Sequence, residues 1–244
     1  MDKVGFLAAN AAAAAMARQE NIANNLANIS TPGFRAELMA FRSAPVIGEG
    51  GGTRSFSMES SVGVDTTPGQ LQSTGRELDV AVQGSGWLAV NSPAGDEAYT
   101  RAGALNVNEL GNLVNSQGYQ VIGEGGPINV PPEHRLTIGS DGLISAIPAA
   151  GGTPVELGKL KLVNPEKEQI VRSNDGLFRR KDGQDADADP AVRVASGYLE
   201  SSNVNAVEAM VQMISAAREF ETQMKMISSS KENAQAANQL FGMN

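Results

Sequence analysis

Few residues in this chain have the types and spacing that catalysis needs. The only histidine, His134, stands in Pro131-Pro132-Glu133-His134-Arg135, and any His-dependent triad would have to use it. No serine occupies a Gly-x-Ser-x-Gly elbow, so nucleophilic hydrolysis has no candidate centre and His134 reads as a solvated loop residue. Gly84-Ser85-Gly86 lacks the third glycine of a nucleotide fingerprint and precedes a strand-like run, Trp87 to Val90, which makes it a turn. Asp182, Asp185, Asp187 and Asp189 form the densest acidic group and superficially resemble a calcium loop. The pattern fails, because Pro190 follows Asp189 where a glycine is required and Ser196 stands where the twelfth-position Glu should be. With no cysteine there is no thiolate metal site, thiol nucleophile or disulfide framework. No cofactor or metal is expected, and a solvated acidic loop is the reading for Asp182 to Asp189.

The one repeated polar pattern is a ladder of amides. Asn21, Asn24, Asn25 and Asn28 fall at i, i+3, i+4 and i+7, so they share a helix face beside Ile22, Leu26 and Ile29. Asn lowers helix propensity by offering the backbone competing hydrogen bonds, and a merely solvated face would more often use Glu, Lys or Gln. Amides bonding across packed helices, at roughly 0.5 to 1.5 kcal/mol each, account for the ladder; a plain polar face is the alternative.

The elements that carry these residues follow from periodicity. Val4, Leu7, Ala11, Ala14, Ile22, Leu26 and Ile29 recur at spacings of three and four, with Arg18 in the missing place, which predicts an N-terminal helix. Ala11 to Ala15 have the highest helix propensity and are small enough to admit a close neighbour. Ser30-Thr31-Pro32-Gly33 ends the helix. Val4 to Ala17 also fits the apolar part of a secretory leader, but Asp2 cancels Lys3, Asn10 interrupts the run and the helical pattern continues beyond it, so the segment reads as mature structure. At the other end, Ala206, Met210, Met213, Ala217, Phe220, Met224 and Ile227 form a heptad-like seam. Asn205 with Glu208 three residues on predicts an N-cap. A helix from there to about Phe241 would be roughly 55 Å long and needs a long partner. The methionines Met210, Met213, Met224 and Met226 suit either a core or an adaptable surface for non-identical neighbours.

Between the ends the texture changes to short β-like runs: Leu78 to Val82, Trp87 to Val90, Asn112 to Asn115, Tyr119 to Ile122, Arg135 to Ile138, Leu143 to Ile147, Leu157 to Val163 and Leu177 to Arg179. Leu110-Gly111-Asn112, Asp141-Gly142 and Asp175-Gly176 mark turns. Phe41 to Thr67, rich in Gly, Ser and Thr, has no helical period and reads as an extended or flexible connector. The expected organisation is α+β: an N-terminal helix in 1–33, a connector in 34–75, a mainly-β central domain in 76–198 and a C-terminal helix in 199–244, the two helices pairing as a coiled-coil-like domain. No window approaches the ~18 apolar residues of a spanning helix. A net charge of −8 without a Lys/Arg cluster gives nucleic acid no track.

Four separated motifs carry a family resemblance. Ala23 to Phe34, ANNLANISTPGF, resembles the N-terminal signature shared by bacterial flagellar rod, hook and hook-associated proteins. Thr74 to Trp87, TGRELDVAVQGSGW, and Tyr99 to Gly123, YTRAGALNVNELGNLVNSQGYQVIG, resemble that family's central-domain motifs. Leu199 to Met213, LESSNVNAVEAMVQM, followed by Arg218, Glu219, Phe220 and Glu221, resembles its closing helix. Met1-Asp2, Thr31 to Ala36, Thr67 to Leu71, Trp87 where relatives usually carry Phe, and Glu124 to Ile128 are nearer the proximal-rod members than the distal rod or hook. The extra central domain of hook proteins is missing, and the Gly-rich stretch Gly48 to Ser57 matches no family feature.

The resemblance implies a structural subunit of the flagellar basal-body rod, exported by the flagellar type III apparatus without a cleaved signal and inserted into a helical shaft crossing the periplasm. Its implied partners are other rod subunits, including the distal rod protein, and copies of itself. The expected assembly interface is Asn21, Ile22, Asn24, Asn25, Leu26, Asn28 and Ile29 on the first helix, with Met210, Met213, Phe220, Met224 and Ile227 on the last. These ends are expected to be loosely ordered in the monomer and to fold on assembly. The competing reading is a monomeric surface or periplasmic β-domain binding module whose terminal helices simply pair. Its ligand face would need an aromatic platform, yet the seven Phe, three Tyr and one Trp are scattered.

Overall fold

The alanine-rich start folds as helix α1, Asp2–Ala27, and the C-terminal repeat as helix α2, Ala206–Phe241. The computed structural model describes residues 2–45, 55–149 and 152–241 of the 244, which divide into two compact units. The helical unit holds Met1–Ala27, Glu37–Gly63 and Asn205–Asn244; the β unit holds Asn28–Ala36 and Val64–Val204.

In the helical unit α1 and α2 pack antiparallel. Moving along α1 from Gly5 to Arg18, the neighbour on α2 changes from Ser230 to Glu219, where Arg18 makes an ion pair of 2.9 Å. The buried line on α1 is Ala8, Ala12, Ala15 and Ile22, and that on α2 is Ala209 and Ala216 with Met213, Phe220, Gln223 and Ile227 half-buried. This shifts both expected stripes. Leu7 is exposed while Ala11 and Ala14 are only half-buried, and Met210 and Met224 lie outside the seam. The side chain of Val4 lies outside the described residues. Small residues take the contact because two helix backbones can approach closely only where no bulky side chain intervenes. Asn205 caps α2 as its type predicts, Oδ1 accepting from the N–H groups of Val207 (3.0 Å) and Glu208 (3.3 Å). Glu208 does not complete a capping box; its carboxylate accepts from Gln212.

Strands Glu37–Pro45 and Ser55–Val64 pair with one another, so much of the expected connector is a β-ribbon. The alternation of Phe56, Met58, Val62 and Val64 carried that signal; the Gly-rich stretch 46–54 lies outside the described residues.

The β unit is built on an antiparallel sheet ordered Ile170–Arg172, Phe178–Arg180, Glu97–Thr100, Trp87–Asn91, Gln120–Gly123, Leu113–Asn115, Leu105–Val107. A second sheet runs His134–Ile138, Leu143–Pro148, Val155–Lys159. Strand Trp87–Asn91 is buried on both faces, which explains its unbroken apolar run. Leu88 and Val90 face the main core with Leu105, Leu113, Val121, Ile144 and Leu160, whereas Trp87 and Ala89 face Tyr99, Val163 and Phe178. The Trp87 and Phe178 rings lie 4.4 Å apart. Asp141-Gly142 turns the second sheet, Gly142 taking φ +87° and Asp141 Oδ1 accepting from the Leu143 N–H. The expected run Leu157 to Val163 is two strands, Val155–Lys159 and Leu162–Val163, in different sheets. Two short ribbons, Arg193–Ser196 with Val80–Gln83 and Tyr198–Glu200 with Leu71–Ser73, pair the late part of the chain with its early part.

Candidate functional site

Three of the four ladder amides bond residues near the end of α1. Asn25 Oδ1 accepts from the Glu37 N–H (2.9 Å) and its Nδ2 donates to the Glu37 carbonyl (3.0 Å), so one side chain pairs with a strand residue as a neighbouring strand would. Asn21 Nδ2 donates to the Glu37 carboxylate at 3.3 Å, and Asn28 Oδ1 accepts from the Thr31 hydroxyl at 3.2 Å, beyond the last turn of α1. These bonds lie where the chain leaves the helix. Asn24 is exposed, Leu26 and Ile29 are half-buried, and Ile22 is fully in the seam.

What the helical unit leaves to solvent is a second apolar stripe. Val207, Met210, Val211 and Ile214 are exposed by 72%, 52%, 58% and 54%, and their spacing of i, i+3, i+4 and i+7 sets them on one face of α2, away from the seam. The face becomes charged after Ala217, with Arg218, Glu221 and Lys225. Met224 and Met226 are also exposed.

The β unit contains a polar centre that no local pattern announces. Glu200, 1% exposed, accepts at Oε2 from Arg101 (2.9 Å) and at Oε1 from the Gly69 N–H (2.8 Å), and its Oε1 lies 2.6 Å from the guanidinium of Arg35. Its carbonyl accepts from the Gly33 N–H at 2.8 Å. Both Thr-Pro-Gly tripeptides, 31–33 and 67–69, thus converge on one glutamate. Each glycine is there because nothing larger fits: a Cβ on Gly33 (φ +70°) would stand 2.3 Å from the Arg101 carbonyl carbon, and one on Gly69 would stand 1.9 Å from the Ser201 oxygen. Burial pulls the Arg101 guanidinium below its ordinary value and the Arg35 charge adds to this, while Glu200 opposes both. Arg101 also donates to the carbonyls of Val82 and Gly84 and lies 5.5 Å from the Trp87 ring. Asn203 bridges the same segments, accepting from the Ala36 N–H (2.7 Å) and donating to the carbonyls of Asp65 and Thr67. Leu199 to Val204 is therefore an extended clasp within the β unit, and α2 begins only after it.

His134 and the acidic segment are held by local contacts. His134 Nδ1 bonds the Pro132 carbonyl at 2.8 Å. The acidic segment is tied down by the Arg180–Asp182 ion pair, by the Ala186 N–H donating to the Tyr99 hydroxyl (2.7 Å) and by Asp189 Oδ1 accepting from the Ala191 N–H (2.8 Å). Burial raises the Tyr99 hydroxyl well above its ordinary value. Among the described residues no three His, Cys, Asp or Glu are grouped to hold a metal, and no helix is long and apolar enough to cross a membrane.

Comparison with known families matches the chain in three places. Residues 7–35 match the family described as flagella basal body rod protein, 81–146 the flagellar hook protein FlgE/F/G D1 domain, and 195–240 the flagellar basal body rod FlgEFG protein C-terminal family. Over the full length of both chains it is 48% identical to the flagellar basal-body rod protein FlgF of Salmonella typhimurium and 48% to that of Escherichia coli. With the rod protein FlgG of Bacillus subtilis it shares 34%, over 86% of this chain and 88% of the other. The Thr-Pro-Gly turn after α1, the clasp before α2 and the sheet strands from Trp87–Asn91 to Gln120–Gly123 fall within matched segments, and the chain belongs to the FlgF family of flagellar basal-body rod proteins.

Proposed function

We propose that this structural rod subunit enters the helical rod through its terminal helices, α1 and α2 pairing as a coiled-coil-like unit that packs against the helices of its neighbours. The observation that carries the reading is the second apolar stripe on α2, Val207, Met210, Val211 and Ile214, exposed although the seam is already occupied by α1. A helix face of this spacing suits a groove formed by other helices, and contiguous exposed apolar surface marks interaction sites. Within the expected interface the roles then divide. Ile22, Leu26, Met213, Phe220 and Ile227 support the seam; Asn21, Asn25 and Asn28 shape the helix end; Met210 and Met224 turn adaptable thioethers toward neighbours that need not be identical.

The partners are other rod subunits, including the distal rod protein, and copies of this chain, in a basal-body rod crossing the periplasm. Delivery is by flagellar type III export without signal cleavage. Replacing Val211→Lys together with Ile214→Lys puts two charges on the stripe without touching the seam. Far-UV circular dichroism of the monomer is expected to stay unchanged while co-purification with other rod subunits falls at least ~10-fold, about 1.4 kcal/mol or more. Wild-type recovery of those subunits by the double variant would overturn the assignment.

A further inference from the structure

Glu200 is bound by segments remote from it in sequence. Gly69 lies 131 residues away and Arg101 99 residues away, and Arg35 is farther still. Arg35 and Arg101 are buried, at 1% and 4% exposure, and Glu200 is the carboxylate that faces both. The contact of Arg35 with Glu200 is one of charge, since none of its side-chain nitrogens meets hydrogen-bond geometry among the described residues. A guanidinium taken out of water without its counter-charge is strongly destabilising. Residues 33–36 therefore have no stable seat on the β unit before Glu200 is in place. The same holds for the second Thr-Pro-Gly turn, whose Gly69 N–H bonds the Glu200 carboxylate and whose Gln70 carbonyl accepts from the Ser201 N–H.

We propose that Glu200 is a closure latch: the sheet forms first, and the segments 33–36 and 67–70 dock only when Leu199 to Asn203 threads between them. The β unit thereby tests that the chain is complete, because a chain without its last fifth cannot finish the unit that begins near residue 28. Closing so long a loop is entropically slow, and contacts of this range form late. A late contact slows unfolding and leaves the folding rate alone.

Trp87 is the only tryptophan and lies beside Arg101, so its fluorescence reports on the latch. In denaturant-jump experiments on the full chain, Glu200→Gln is expected to speed unfolding by ~100-fold or more while refolding changes less than ~3-fold. Refolding slowed as much as unfolding is speeded would overturn the late order, and an unchanged unfolding rate would overturn the counter-ion role. Should Glu200→Gln fail to fold, pulse-labelled hydrogen exchange on the wild-type chain decides. The Gly33 and Gly69 amides are expected to gain protection after those of Trp87–Asn91 and Gln120–Gly123; simultaneous or earlier protection would sink the proposal.

Discussion

Arg179 shows how a single residue makes this fold sensitive to acid. It bonds Asp96 at 2.6 Å and Asp175 at 2.7 Å, and the Ser92 hydroxyl also donates to Asp96. The hydrogen bond from Arg179, followed by that from Ser92, holds the Asp96 carboxyl down to about 2 from 3.8, and Asp175 is lowered chiefly by Arg179 as well. A carboxylate whose value is depressed on folding stabilises the folded state above its unfolded value. That stability is lost as pH falls from about 4 through about 2. Because both carboxylates are partly exposed, solvent screening keeps the effect small. Equilibrium unfolding of wild type and Arg179→Met is expected to differ most at pH 5, and the gap is expected to narrow as pH falls toward 2. A gap that stays constant over that range would rule the mechanism out. Glu200 inverts the count, with two arginines on one carboxylate, and that group is sealed from water where the Arg179 cluster is partly exposed.

At the scale of elements, the helix pair depends on small side chains. Ala216 is 1% exposed in the seam, so Ala216→Leu forces bulk between two backbones and is expected to cost about 1 to 3 kcal/mol. Met224→Leu, outside the seam, should change stability by less than about 0.5 kcal/mol. Thermal melts followed at 222 nm check both, and equal effects would place the seam elsewhere. The two helices, their punctuation at Thr31-Pro32-Gly33 and Asn205, and most strands of the central domain were legible in local pattern. The rotational setting of the helices was not. Where Ala8 to Ala15 offers a small residue on nearly every face, apolar periodicity has no contrast, and on α2 two apolar stripes overlap. Strands Leu71–Ser73, Arg193–Ser196 and Tyr198–Glu200 also escaped detection, being short and polar and set by their pairing rather than by their own residues.

For the whole molecule, the two units rest on different kinds of interior. The β unit buries Leu88, Val90, Leu105, Leu113, Ile144 and Leu160, whereas the helical unit buries mainly alanines, which remove far less apolar surface from water. Denaturant unfolding is therefore expected to lose helical signal at 222 nm at a lower midpoint than Trp87 fluorescence. Coincident curves would show that the units unfold as one. Local sequence carries the helices that bracket a β domain, the lack of any thiol and the motifs of flagellar rod proteins; each is written in residues close together along the chain. Tertiary packing settles which apolar stripe pairs the helices and which remains outward, and it folds Asn21 and Asn25 back on Glu37. It alone joined two Thr-Pro-Gly turns and two arginines on Glu200. Those outcomes depend on which remote segments meet, and the desolvation of a charge or the closeness of two backbones has no local signature.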